Sequence, residues 1–120
     1  MQRLNWSKLI LLNEKNVSSV LGEGDSGIFR ISTKGEDGKY SVVFVGESGD
    51  MKKRLMQALS KGEPNQSLKL TVQKMPVYFK YSIVQYEDER KNAVHTMFHH
   101  FNPECNDIEP NGTKVTMNYD

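Results

Sequence analysis

The sequence predicts a small α/β domain of the α+β kind, with three strands and several helices. Strand-like apolar runs occur at residues 28–33, 40–45 and 77–86, and helix-like apolar stripes occur at 51–61 and 87–101. A chain of 120 residues with 37% hydrophobic and 26% charged residues suits one globular core. We expect three parts: an N-terminal helical extension (1–26), a central domain (27–106) and a polar C-terminal tail (107–120).

The first part of the chain combines a helix-like segment with the pattern of a β-hairpin, two apolar runs joined by a polar turn. Apolar residues between Trp6 and Leu21 are spaced roughly as one helical face, which predicts one or two short helices. A glycine-containing polar loop joins the runs at 28–33 and 40–45, so these runs should pair as an antiparallel hairpin. The second run is almost continuously apolar, which is typical of a central strand buried on both faces.

The second half of the chain is predicted to contain two helices and a further strand. Ser48 or Asp50 can cap a helix that begins near Met51. Residues 68–74 are interpreted as a short strand or linker, and 77–86 carries the strongest strand pattern. A helix at 87–101 opens with three acidic residues, which suit the positive end of a helix dipole. After Pro103 we expect a loosely attached tail or an edge strand.

Composition limits the classes of function. The formal net charge is +1, with 16 Lys and Arg against 15 Asp and Glu, so any attraction to polyanions must come from a local patch. A single cysteine, Cys105, cannot form an internal disulfide, and the N-terminus has no signal-peptide pattern. The longest apolar stretch is too short to span a bilayer. We therefore expect a cytoplasmic, reducing compartment and no membrane partner, and the oligomeric state is left open.

Short motifs in the central domain resemble those of the GIY-YIG nuclease family. Gly27-Ile28-Phe29 and Phe44-Val45-Gly46 are similar to the family signature with each tyrosine replaced by phenylalanine, and Arg54 follows Phe44 by ten positions, as in the family. Further residues resemble the family's Ala-Glu-x-x-Leu helix and Phe-x-Pro-x-x-Asn segment: Ala93, Met97, Phe101, Pro103 and Asn106. The resemblance covers residues 27–106 apart from a gap between Lys61 and Pro76, and it implies a GIY-YIG-like domain with a three-stranded antiparallel sheet flanked by helices.

The resemblance implies a phosphodiester site with several of its groups replaced. In the family, tyrosines and an arginine surround the scissile phosphate, and a glutamate holds one divalent metal, Mg²⁺ or Mn²⁺. Arg54 is retained, whereas Phe29 and Phe44 lack the hydroxyl that could orient water or transfer a proton. Val94, nine residues before Pro103, stands at the glutamate position and cannot bind a cation. A register shift of one residue would place His95 there instead.

Other residues could replace the missing groups. His95 and His99, at i and i+4, could share a helix face and bind a transition metal, although a solvent-facing pair is the favoured interpretation. Glu47 and Glu89 could contribute to a shifted metal site, but a loop acid and a helix-dipole acid are the simpler interpretations.

The predicted function rests on this resemblance, with Arg54 as the main phosphate contact, and a local basic patch adds to it. Its members are Lys52, Lys53, Arg54 and Lys61, which could bind phosphates or could be an ordinary exposed helix face. The leading hypothesis is a nucleic-acid-interacting domain, with DNA favoured, that is weakened or noncatalytic as a nuclease. The alternatives are an active divalent-metal-dependent DNA endonuclease with a rearranged site, and a protein-interaction module on the same scaffold.

Overall fold

The computed structural model describes residues 3–120, over which the chain forms four strands and four helices. The strands are β1 (Ile10–Leu11), β2 (Gly27–Lys34), β3 (Tyr40–Ser48) and β4 (Val77–Ile83). The helices are α1 (Glu14–Val20), α2 (Met51–Ala58), α3 (Gln66–Lys74) and α4 (Glu87–Phe101). The predicted α+β class is confirmed, and none of the described helices has the length and apolarity needed to cross a membrane.

The sheet is antiparallel throughout, in the order β1-β4-β2-β3. The predicted hairpin is confirmed, since β2 pairs with β3 from Gly27 opposite Ser48 to Lys34 opposite Tyr40. The expected count of three strands was one too few. Residues 10 and 11 lie beside β4 and add a two-residue strand, which is too short to give a strand pattern of its own.

Alternating side chains of β2 divide the core into two halves. Phe29 and Ile31 belong to a cluster that includes Leu55 of α2, whereas Ile28 belongs to a second cluster that includes Val94 of α4. Successive side chains of a strand point to opposite faces of the sheet. Helices α2 and α4 therefore cover opposite faces.

The prediction that the second hairpin strand is central was wrong. Strand β2 lies between β4 and β3, and β3 is at the edge. Both faces of β3 are nevertheless covered, because Val43 and Phe44 belong to one core cluster and Val45 belongs to the other. Burial on two faces produced the continuous apolar run, and that pattern does not report whether a strand has one neighbour or two.

The other secondary-structure predictions had mixed outcomes. Helix α2 begins after Asp50, whose side chain accepts a hydrogen bond from the Lys53 amide, and α4 spans the predicted residues. The interpretation of residues 68–74 as a strand or linker was wrong, because they lie in helix α3. The N-terminal segment contains one helix, α1, and residues 7–12 run beside β4, where the Ser7 amide donates to the Tyr81 carbonyl.

The C-terminal segment has no helix or strand, but it packs on the domain rather than hanging loosely from it. The Asn118 side chain accepts from the Leu4 amide at 2.8 Å and donates to the Leu4 carbonyl at 2.9 Å. Arg30 of β2 donates to the Tyr119 carbonyl at 2.6 Å, and its guanidinium lies over the rings of Trp6 and Phe101. Burial lowers the pKa of Arg30. Through these contacts Arg30 joins residues from both ends of the described chain.

Candidate functional site

Phe29 and Phe44, which the resemblance aligns with the two family tyrosines, lie together inside the protein. Their ring centroids are 6.2 Å apart, and the residues are 1% and 8% exposed. Gly46 allows this packing, because a Cβ at that position would lie 2.7 Å from Phe29 Cζ. The two rings therefore support the site from within, and neither presents a polar atom to a ligand.

Arg54 joins this pair from helix α2. The buried residues Met51 and Leu55 fix α2 on the core, and the Arg54 guanidinium lies 5.5 Å from the centre of the Phe44 ring. Three of the positions identified by the motifs thus meet: Phe29, Phe44 and Arg54. A cation over an aromatic face at this distance is electrostatically favourable and restricts the orientation of the guanidinium.

Glu63 is the partner of Arg54. Arg54 Nη1 donates to Glu63 Oε1 at 2.5 Å, and Nη2 donates to Oε2 at 3.3 Å. The Glu63 side chain is 0% exposed and also accepts from the Asn65 amide, whereas 21% of the Arg54 side chain is exposed. The pairing uses two of the five guanidinium N–H groups. Glu63 was missed from the sequence because it lies across the turn after α2, where no helical spacing connects it to Arg54.

An open groove runs along the exposed side of Arg54. Its lining residues are Ser48, Asp50, Lys53, Arg54, Met56, Gln57, Ser60 and Gly62. Lys53 is exposed, and Lys61 is an exposed residue directly before Gly62. Lys52 is half-buried and lines a neighbouring depression together with Glu23 and Asp50. The predicted basic patch therefore borders a concavity, but carboxylates share it.

Val94 does not join the Phe29, Phe44 and Arg54 group. Val94 is 5% exposed and packs with Ile28 and Val45 on the face of the sheet covered by α4. The sheet itself separates this position from the arginine. A carboxylate at position 94 would face the α4 side, so substitution is not the only difference from the arrangement that the resemblance implies.

The two carboxylates considered as substitutes have other surroundings. Glu47 Oε1 accepts from Arg90 Nε at 2.8 Å, and Arg90 also donates to the carbonyls of Val84 and Gln85. Glu89 is exposed and lines a different groove beside the N-terminal segment. Within residues 3–120, neither carboxylate belongs to a group of three or more side chains that could hold a metal. The inward-facing position of Arg90 could have been predicted from the sequence, because Arg90 precedes the buried positions 93 and 94 by one helical turn.

His95 lies on the surface of α4 among groups from the C-terminal segment. Its Nδ1 is 2.8 Å from the Pro110 carbonyl oxygen, and its ring meets that of His99 with centroids 4.8 Å apart. His99 Nε2 is in contact with Glu109 Oε1. The histidine pair is therefore confirmed as sharing one helix face, and sequence spacing could not have identified Glu109.

Comparisons with known proteins found no match: the chain matches no protein-family model, no curated protein and no solved structure.

Proposed function

We propose that this domain binds the phosphate backbone of nucleic acid, with DNA favoured, without catalysing cleavage. The observation that carries the proposal is the position of Arg54, which is held by Glu63 and Phe44 and lines the groove with 21% of its side chain exposed. An arginine whose orientation is already fixed loses little side-chain entropy when it donates to a phosphate. Its remaining N–H groups are the proposed phosphate donors.

The lysines supply the second part of the proposed interface. Lys53 and Lys61 are exposed near the groove, and Lys52 lies beside it. Ammonium groups bind phosphates through charge and release condensed counterions, which makes such binding salt-dependent. Contacts of this kind position a nucleic acid and do not read its bases. We accordingly propose that binding has little sequence preference. We also propose that it is weak, because the carboxylates of Glu63, Asp50 and Glu23 oppose part of the positive charge.

The proposal of a noncatalytic role follows from the same surroundings. Phe29 and Phe44 are buried and have no hydroxyl, so they cannot position water or move a proton. Val94 offers no ligand to Mg²⁺ or Mn²⁺ and lies on the other side of the sheet from Arg54. The alternative of an active, rearranged nuclease would need a metal held by groups other than these.

Binding should be measured by fluorescence anisotropy on single-stranded, duplex and branched DNA between about 50 and 200 mM salt. The test variant replaces Lys52, Lys53 and Lys61 with alanine and leaves Arg54 paired. The matched control removes the same charge at three exposed lysines elsewhere: Lys8, Lys39 and Lys114. For duplex DNA, the removal of each phosphate-binding lysine should reduce the slope of log K against log salt by about 0.9.

The control and the test variant should differ clearly. A reduced slope in the test variant alone supports the proposal, whereas equal effects of the two triple variants contradict it. Absence of binding at low salt to every DNA tested would instead favour a protein-interaction module. That alternative is suggested by Ile83 and Tyr86, which are 51% and 66% exposed and line a groove with the N-terminal segment.

Cleavage must be tested on the same substrates with Mg²⁺ and Mn²⁺. Wild-type turnover that is lost in the double variant Arg54→Met/Glu63→Gln would overturn the noncatalytic proposal. The double variant is preferable to Arg54→Ala, because it removes both charges together and does not leave a buried carboxylate without its partner.

A further inference from the structure

Two histidines of α4 and a glutamate of the C-terminal segment lie together on the face of α4 that points away from the sheet. His95 and His99 are one helical turn apart, with an angle of 64° between their rings. Glu109 is in contact with His99 Nε2. One ligand atom from each of the three residues lies within 4.8 Å of the other two. Imidazole nitrogens and a carboxylate are the donor set of many transition-metal sites in proteins.

The hydrogen bond of His95 prepares its other nitrogen for metal binding. The Pro110 carbonyl can only accept, so the 2.8 Å contact requires a proton on His95 Nδ1. In the neutral ring, the lone pair is then on Nε2. A histidine ligand whose second nitrogen donates to a carbonyl is a recurrent arrangement, since that bond fixes both the tautomer and the ring orientation.

The segment that carries Glu109 and Pro110 is held on α4 by contacts of its own. The Thr113 amide donates to Asn92 Oδ1 at 2.8 Å, and the Val115 amide donates to Thr96 Oγ1 at 3.0 Å. Gly112 permits this close approach, because a Cβ there would lie 2.7 Å from the Lys91 carbonyl oxygen and its φ is +154°. The three candidate ligands are therefore brought together without depending on a metal.

We propose that His95 Nε2, His99 Nε2 and the Glu109 carboxylate form a binding site for a divalent transition metal of the zinc class. Around a tetrahedral zinc ion with bonds of about 2.0–2.1 Å, ligand atoms are roughly 3.3 Å apart. The side chains of His99 and Glu109 are 50% and 56% exposed, so they can rotate to close the remaining gap. The ion takes the place of the proton between His99 and Glu109, and water occupies the fourth position.

The donor chemistry selects the metal. Imidazole nitrogen suits Zn²⁺, Ni²⁺, Cu²⁺ and Fe²⁺, whereas Mg²⁺ binds oxygen ligands and keeps most of its water. This site is thus distinct from the Mg²⁺ or Mn²⁺ centre that a GIY-YIG nuclease would need. It also stands independently of the proposed nucleic-acid binding.

The test is a titration of the purified chain, free of any affinity tag and treated with chelator, with Zn²⁺, Co²⁺ and Mg²⁺. Calorimetry should give one equivalent of Zn²⁺ and thermal unfolding should show a higher Tm, with no such effects from Mg²⁺. Removing a residue that hydrogen-bonds a metal ligand typically weakens metal binding by roughly 10- to 100-fold. The variants His99→Ala and Glu109→Gln, which remove proposed ligands themselves, should each weaken Zn²⁺ binding by at least that much. His100→Ala is the control, because His100 is an exposed histidine of the same helix outside the cluster.

Circular dichroism of the metal-free variants checks that the fold is kept, as expected for exposed side chains. Absence of Zn²⁺ binding by the wild-type chain would overturn the proposal. It would also fail if His99→Ala and Glu109→Gln bound Zn²⁺ as tightly as the wild type, or if His100→Ala weakened binding to the same extent.

Discussion

Arg54 and Glu63 should contribute unequally to stability, although they form one ion pair. Glu63 is 0% exposed at its side chain, whereas Arg54 is 21% exposed and reaches the groove. Replacing Arg54 with methionine leaves a carboxylate buried without its cationic partner. Replacing Glu63 with glutamine leaves an arginine whose side chain is partly exposed to water. Because desolvation of an unpaired charge is the main cost, Arg54→Met should be the more harmful change.

The magnitude follows from burial. Removing one partner of a buried ion pair costs about 3–5 kcal/mol, and we expect the lower end, about 3 kcal/mol, because the Asn65 amide still donates to Glu63. For a domain of this size that is a fall in Tm of roughly 12 °C, taking about 4 °C per kcal/mol. Glu63→Gln should cost about 1–2 kcal/mol, in the lower part of the range of about 1–3 kcal/mol for a hydrogen-bonding group left unsatisfied, because Arg54 is partly exposed.

The assay is a double-mutant cycle followed by urea unfolding. The double variant Arg54→Met/Glu63→Gln removes both charges, and the introduced glutamine side chain can still accept from the Asn65 amide, so the stability should return to within about 1.5 kcal/mol of wild type. Unchanged m-values would show that the stability differences between the variants do not come from a change in the denatured state. The reasoning is refuted if Arg54→Met costs less than Glu63→Gln, or if the double variant is no more stable than Arg54→Met.

Two further substitutions test close contacts at the motif positions. Asn106→Ala removes a side chain that accepts from the Val45 amide and donates to the Val45 carbonyl, each at 2.9 Å, so urea unfolding should show a loss of about 1–3 kcal/mol; a loss below about 0.5 kcal/mol would contradict this role. Gly27→Ala places a Cβ 2.1 Å from the Ser82 carbonyl oxygen, and this overlap should lower stability by at least the roughly 1–3 kcal/mol typical of overpacking. Gly62→Ala is its control, with a nearest contact of 3.4 Å, and equal losses in the two variants would show that the overlap is relieved without cost.

Elements with strong local patterns were predictable from the sequence. The acidic first turn of α4 and the helix-breaking Pro103 indicate where this helix begins and ends. Asn102 provides its left-handed C-cap, with a φ of 49°. Helix α3 was missed because Leu68, Leu70 and Val72 are spaced by two, as in a strand. Within α3, Leu68 is the only buried residue. The packing of Leu68 and the N-cap at Asn65 therefore stabilise the helix against the strand-like spacing.

The candidate site was only partly predictable. Motif spacing brought together Phe29, Phe44 and Arg54, which the structure places in contact. Glu63 and Glu109 were not predictable, because each meets its partner through a turn of the chain rather than through helical or strand spacing. Local patterns report which face of an element is buried, but a partner brought in by a loop depends on the whole fold.

The side chain of Asn106 has a consequence for association between molecules. Edge strands present unpaired N–H and C=O groups that can recruit a strand from another chain. On the outer edge of β3, the Asn106 side chain accepts from the Val45 backbone N–H and donates to the Val45 carbonyl. The Cys105 backbone N–H donates to the Val43 carbonyl. This short segment imitates a neighbouring strand over the most apolar part of β3. It thereby protects the domain against edge-to-edge aggregation at that place.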